Sequence, residues 1–177
     1  KATELGVHRI TPLMTERSVI RLTGERAEKK QAHWQAVAAS ASEQCGRNRV
    51  PIIDAPERFD AWLARQTPQA EVVHGVLSLH ASTQPLNALR DGAAVRPKAW
   101  VLLNGPEGGL TDTEDAAARA KGFAALSLGE RVLRAETAAL GALAGPRRRL
   151  LPGHYSPQGR RLVWRRPPAL VRLATRR

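Results

Sequence analysis

The chain has 177 residues, 42% of them hydrophobic and 25% charged, with a formal charge of +12. That length suits one domain with a sizeable core. No run approaches the roughly 18 apolar residues of a membrane span, no secretory signal pattern opens the chain, and the lone Cys45 excludes an internal disulfide and fits a reducing, cytoplasmic setting.

The charge is uneven. Residues 1–145 hold eighteen Lys/Arg against sixteen Asp/Glu, whereas residues 146–177 hold ten Arg and no acid. Nucleic-acid affinity argued from net charge therefore rests on the tail. The opening residue is Lys1, and Lys1–Gly6 reads as the end of a helix, so the chain is expected to be a fragment of something longer.

Elements alternate along the chain. "RITPL" (9–13) and "SVIRL" (18–22) read as short strands. A long helix is expected over "ERAEKKQAHWQAVAASASEQCG", with Ala27, Gln31, Trp34, Ala38, Ala41 and Cys45 on one face and Gly46 as its stop. "PIID" reads as a brief strand, "ERFDAWLARQ" as a helix and "VVHGVLSLH" (72–80) as an apolar strand. Residues 81–98 read as a loop, with Pro85, Gly92 and Pro97. "AWVLL" (99–103) is a buried-type strand ending in a glycine loop. The next helix opens with Thr111 and Glu114 in capping-box spacing and closes at Gly122. "FAALSL" and "AETAALGALA" supply the last strand and helix. Continuous apolar strands alternating with helices predict an α/β fold with a mainly parallel, doubly covered sheet. Ligands in such sheets sit at strand carboxyl ends. The loops after Leu79, Leu103 and Leu128 qualify.

The loop "LLNGPEGGLTDTED" (102–115) lacks the lysine of a Walker-type loop. Its glycines 105, 108 and 109 do not match a dinucleotide fingerprint. Pro106 removes an amide donor, and Glu107 repels an anion. A phosphate ligand is disfavoured. A neutral or cationic ligand such as S-adenosylmethionine fits, and a purely structural turn is the alternative. The Trp residues 34, 62 and 100 read as core, Cys45 as packing, and no Cys/His cluster suggests a metal.

A second strand–glycine–helix stretch, "SLGERVLRAETAAL" (127–140), pairs with the first. With "KATELGV…ITPLMTERS", "EQCGR" and the "GF" at 122–123, the two stretches resemble the RsmE family of SPOUT methyltransferases. That family methylates N3 of a uridine in bacterial small-subunit (16S) ribosomal RNA. The likeness spans residues 1–144. It implies a C-terminal trefoil knot, S-adenosylmethionine as cofactor, a homodimer and 16S rRNA as partner. By carry-over, Leu79 and His80 lie below the adenosine. Gly105, Pro106, Glu107, Gly108 and Gly109 form the first cofactor loop. Leu128, Gly129, Arg131, Val132, Leu133 and Arg134 form the second. The base, or the cation that stabilises the uracil anion, is sought among Arg17, Arg134 and Glu136, with Glu43 and Arg47 as further candidates. Arg17, Arg47 and Arg49 are assigned to RNA.

The sequence departs from that family in three ways. The N-terminal PUA-like domain and the strand before Lys1 are expected to be absent. Asn104 stands where an apolar residue is usual. Residues 145–177 form an Arg/Pro-rich extension, expected to be disordered or the product of an out-of-frame reading. A non-catalytic RNA-binding remnant is therefore the alternative function.

Overall fold

The computed structural model describes residues 1–18, 22–79, 82–91, 97–145 and 170–174, with residues 90–91 and 170–174 given through their backbone. The elements are β1 (Arg9–Thr11), β2 (Leu13–Met14), α1 (Gly24–Gln44), β3 (Ile52–Ile53), β4 (Glu57–Arg58), α2 (Phe59–Ala64) and β5 (Val72–Leu77). Then follow β6 (Gln84–Pro85), α3 (Leu86–Asp91), β7 (Ala99–Leu103), α4 (Asp112–Ala120), β8 (Ala124–Ser127), α5 (Ala135–Ala144) and β9 (Leu170–Ala174). Seven strands make one sheet in the order β3-β1-β9-β7-β5-β8-β6. Every pair in it is parallel, as expected for an α/β fold. A parallel pair, β2 with β4, forms a second small sheet.

Burial explains why β7 is apolar throughout. Val101 and Leu103 enter one core with Leu13, Phe59, Trp62 and Phe123, beneath α2 and α4. Trp100 and Leu102 enter the other with Val7, Leu126, Ala142 and Leu143 of α5. The strand's two-residue period sends alternate side chains to opposite faces, and both faces are covered.

Helix α1 matches its predicted face: Ala27, Gln31, Trp34, Ala38, Ala41 and Cys45 are buried or half-buried. Gly46 follows it with φ 71°, the left-handed stop expected. The capping box of α4 is formed on both sides, Thr111 accepting from the Glu114 N–H and Glu114 accepting from that of Thr111.

Several expectations are corrected. "RITPL" is two strands broken at Pro12, which has no N–H for a ladder. Ser18 and Leu22 lie outside any strand, and residues 19–21 of "SVIRL" lie outside the described residues. The expected loop 81–98 contains β6 and the short helix α3. Within the Arg/Pro-rich extension, residues 170–174 form β9, paired to β1 on one side and β7 on the other. Residues 146–169 and 175–177 lie outside the described residues. Among the described residues no helix is long and apolar enough to cross a membrane.

Candidate functional site

Strands β7, β5 and β8 lie side by side, so their carboxyl ends open together. A cavity of about 660 Å³ sits there, lined by residues 77–79 after β5, 104–107 and 109 after β7, and 126–129 and 131–136 around β8 and the start of α5. The size falls within the ~300–1,000 Å³ of small-molecule sites. The three loops singled out from sequence therefore converge on one pocket.

The first loop is shaped by glycine. The Gly109 N–H donates to the Pro106 carbonyl at 2.8 Å, closing a four-residue turn, and Gly109 has φ 70°. A Cβ on Gly105 would lie 2.6 Å from the Leu110 nitrogen and 2.8 Å from the Gly109 carbonyl carbon. Those are backbone atoms, so only glycine fits. Gly108 is different: a Cβ there would meet only the Arg17 side chain, at 3.5 Å. Glu107 stands exposed at the pocket wall.

Two side chains anchor this loop. Arg17 Nη1 donates to the carbonyls of Gly108 (2.7 Å) and Leu110 (3.2 Å) from outside the pocket. Asn104, buried at the end of β7, donates through Nδ2 to Gly105 O and to Ala135 O, each at 3.1 Å. The amide at this unusual position thus ties the first loop to the start of α5. Glu114 adds a third tie, its Oε1 accepting from the Glu16 N–H at 2.8 Å, beside Arg17. The second loop turns at Gly129, φ 122°, where Ser127 Oγ accepts from the Gly129 N–H (3.1 Å) and lies 3.0 Å from its carbonyl.

The predicted site residues divide clearly. Leu79, Gly105, Pro106, Glu107, Gly109, Leu128, Gly129, Arg131, Val132, Leu133, Arg134 and Glu136 all line the pocket. Gly108 is in its loop without lining it. Leu79 is 82% and Val132 76% exposed, which leaves apolar surface at the mouth. His80 lies outside the described residues. Arg17 does not line the pocket but grips its loop. Arg47 is turned inward: Nη1 donates to Thr3 O (2.6 Å) and Val7 O (3.0 Å). Burial pushes its pKa down, against a smaller opposing effect of Cys45. Arg49 and Glu43 are exposed and away from the pocket lining. Sequence reasoning missed the joint role of Asn104 and Ala135, and the only available signal was a polar residue ending an apolar strand.

The comparisons bear on this geometry. Residues 1–145 match the family model described as RNA methyltransferase domain. The chain is 39% identical over 148 residues to the Ribosomal RNA small subunit methyltransferase E of Synechocystis, covering 80% of this chain and 45% of that protein. It is 37% identical over 147 residues to the Bacillus subtilis protein of the same name, covering 81% and 57%. A crystal structure of the Neisseria gonorrhoeae Ribosomal RNA small subunit methyltransferase E bound to S-adenosyl methionine superposes with TM-score 0.70 at 38% identity, covering 81% of this chain and 56% of that one. The chain spans about half the length of the curated relatives it matches.

Proposed function

The chain belongs to the RNA methyltransferase domain family. From that premise we propose that it is the catalytic domain of an S-adenosylmethionine-dependent methyltransferase acting on N3 of a uridine in 16S ribosomal RNA. The observation that carries this reading is the convergence of three strand ends on a glycine-turned pocket, with Glu107 in its first loop and no lysine among its lining residues. The relative from Neisseria gonorrhoeae, bound to S-adenosyl methionine, supports the choice of cofactor.

When bound, the cofactor supplies an electrophilic methyl group on a sulfonium. The residues fit that group. Both loops line the cavity; their backbone groups are assigned to the adenine edge, and Leu79, Val132 and Leu133, which line it too, to its face. Glu107 offers a negative charge for the cationic end. Uracil N3 must lose its proton before it can accept a methyl. Glu136 is assigned to receive that proton and Arg134 to stabilise the anion spread over the uracil oxygens. Arg17 is assigned a positioning role, because its Nη1 is committed to two loop carbonyls. Its remaining guanidinium donors face solvent, suited to an RNA phosphate. Arg49 is assigned to RNA as well, whereas Arg47 serves the carbonyls of Thr3 and Val7.

The exposed Leu79 and Val132 beside the pocket, and the predominantly apolar α5, support a homodimer that covers the pocket mouth. The resemblance supports a trefoil knot around the two loops and a cytoplasmic setting. The test is calorimetric titration of S-adenosylhomocysteine into the folded chain. One-to-one saturable binding, followed by methylation of 16S RNA at uracil N3, is expected. A folded chain that binds RNA but not S-adenosylhomocysteine would make it an RNA-binding remnant.

A further inference from the structure

The stretch that carries Arg134 and Glu136 has little to hold it in place. Residues 129–134 are exposed, and Arg134 opens α5 without a side-chain cap on the helix. The buried residues of α5, Ala139, Ala142 and Leu143, begin one turn further on. The Ala138 N–H donates to Arg134 O at 2.8 Å within the first turn. Among the described residues, the one hydrogen bond from stretch 130–138 to anything outside α5 and its cap is that from Asn104 Nδ2 to Ala135 O, at 3.1 Å. Ala135 stands between Arg134 and Glu136, and all three line the cavity together with Asn104.

The anchor itself is firm. Asn104 is 6% exposed and follows the fully buried Leu102 and Leu103 of β7, which pairs with β5 along five residues. A primary amide has two N–H donors, and Nδ2 spends the other on Gly105 O, at 3.1 Å. We propose that Asn104 is a positioning residue for the methyl transfer: held between Gly105 O and Ala135 O, it places Arg134 and Glu136 relative to the loop that carries Glu107. The proposal rests on the reaction, and on the roles of Arg134 and Glu136, given above. Misplacement of a reacting group by about 1 Å can cost on the order of 100-fold in rate, whereas cofactor contacts are spread over both loops.

Asn104→Asp keeps the side chain's shape and removes both donors. The variant and its parent are compared by NMR amide exchange without ligand, by calorimetry with S-adenosylhomocysteine and by kinetics on 16S RNA. In the variant the Ala138 N–H is expected to exchange about tenfold faster, with the Val101 and Leu103 amides within about twofold of the parent. The kcat is expected to fall about 30-fold, with KM for RNA within about threefold. S-adenosylhomocysteine affinity is expected to fall only about threefold. The new carboxyl can donate one hydrogen bond once protonated. The exchange and kcat losses, each taken against the parent at the same pH, should therefore shrink from about pH 8 to about pH 5. Asn104→Leu, which donates in no protonation state, is expected to show the losses without that recovery. Unchanged Ala138 exchange in both variants would overturn the proposal whatever the activity. So would identical pH behaviour of the two variants, or a loss of S-adenosylhomocysteine affinity as large as the loss of kcat. Faster Ala138 exchange alongside a parent that binds no S-adenosylhomocysteine would overturn the methyltransferase reading, and the positioning role with it.

Discussion

At the scale of single residues, the first loop divides its glycines by what a methyl group would strike. Gly105→Ala would drive Cβ into the Leu110 and Gly109 backbone. The expected result is loss of S-adenosylhomocysteine binding by at least about 100-fold, since the turn must open to admit the side chain. Gly108→Ala meets only ordinary contact with Arg17 and is expected to bind within about twofold of the parent. Side-by-side calorimetry of the two variants checks this, and equal losses would mean the loop is not the binding element. Arg17→Ala removes two hydrogen bonds to the loop from an exposed guanidinium. A weakening of roughly 5-fold is expected, about 1 kcal/mol, because solvent competes for those carbonyls. Arg17→Lys should recover part of it through its single flexible donor head. These contacts were not legible in the sequence. Arg17 and Gly108 are 91 positions apart, and Asn104 and Ala135 are 31 apart. Chemistry nominated the glycines and the charged residues, but only the fold decides which carbonyls lie within their reach.

At the scale of elements, legibility followed length and punctuation. Helix α1 was readable from a sustained face ending at a left-handed glycine and α4 from its capping box, whereas α5 was readable from its run of alanine and leucine, which are strong helix formers. Strands β4 and β6 have two residues each and α3 has six, too few for any period to emerge. Strand β9 was hidden because its short apolar run lies among arginines and prolines, which dominate a compositional reading. The capping box of α4 yields a prediction at this scale. Thr111→Ala should cost about 1 kcal/mol, a Tm drop of roughly 2–4 °C. Glu114→Ala should cost about twice as much, since its carboxylate also accepts from the Glu16 N–H. Thermal denaturation of both variants tests the order, and a smaller loss for Glu114→Ala would contradict the shared role. The start of α2 offers a contrast. The hydrogen bond from Arg58 holds the Asp60 carboxyl below the usual carboxylate range. A depressed folded-state value contributes stability above the ordinary aspartate pKa and loses it as pH falls through the lowered value. Both side chains are exposed, so Asp60→Asn is expected to move the pH 7 Tm by no more than about 1–2 °C.

At the scale of the whole molecule, a nearly neutral domain with a ligand-sized pocket among its described residues carries an arginine-rich extension. Two kinds of binding should separate by ionic strength. RNA affinity should fall steeply and log-linearly with salt, whereas S-adenosylhomocysteine affinity should change much less, because that ligand carries no net charge and releases no counterion atmosphere on binding. Filter binding and calorimetry between 50 and 200 mM salt (approximate bounds for such effects) check this. Parallel slopes would mean that the cofactor site is itself electrostatic. The tie from Asn104 to Ala135 has a further consequence: it couples the two loops mechanically, so a change that displaces the start of α5 also pulls on the glycine turn 31 positions earlier.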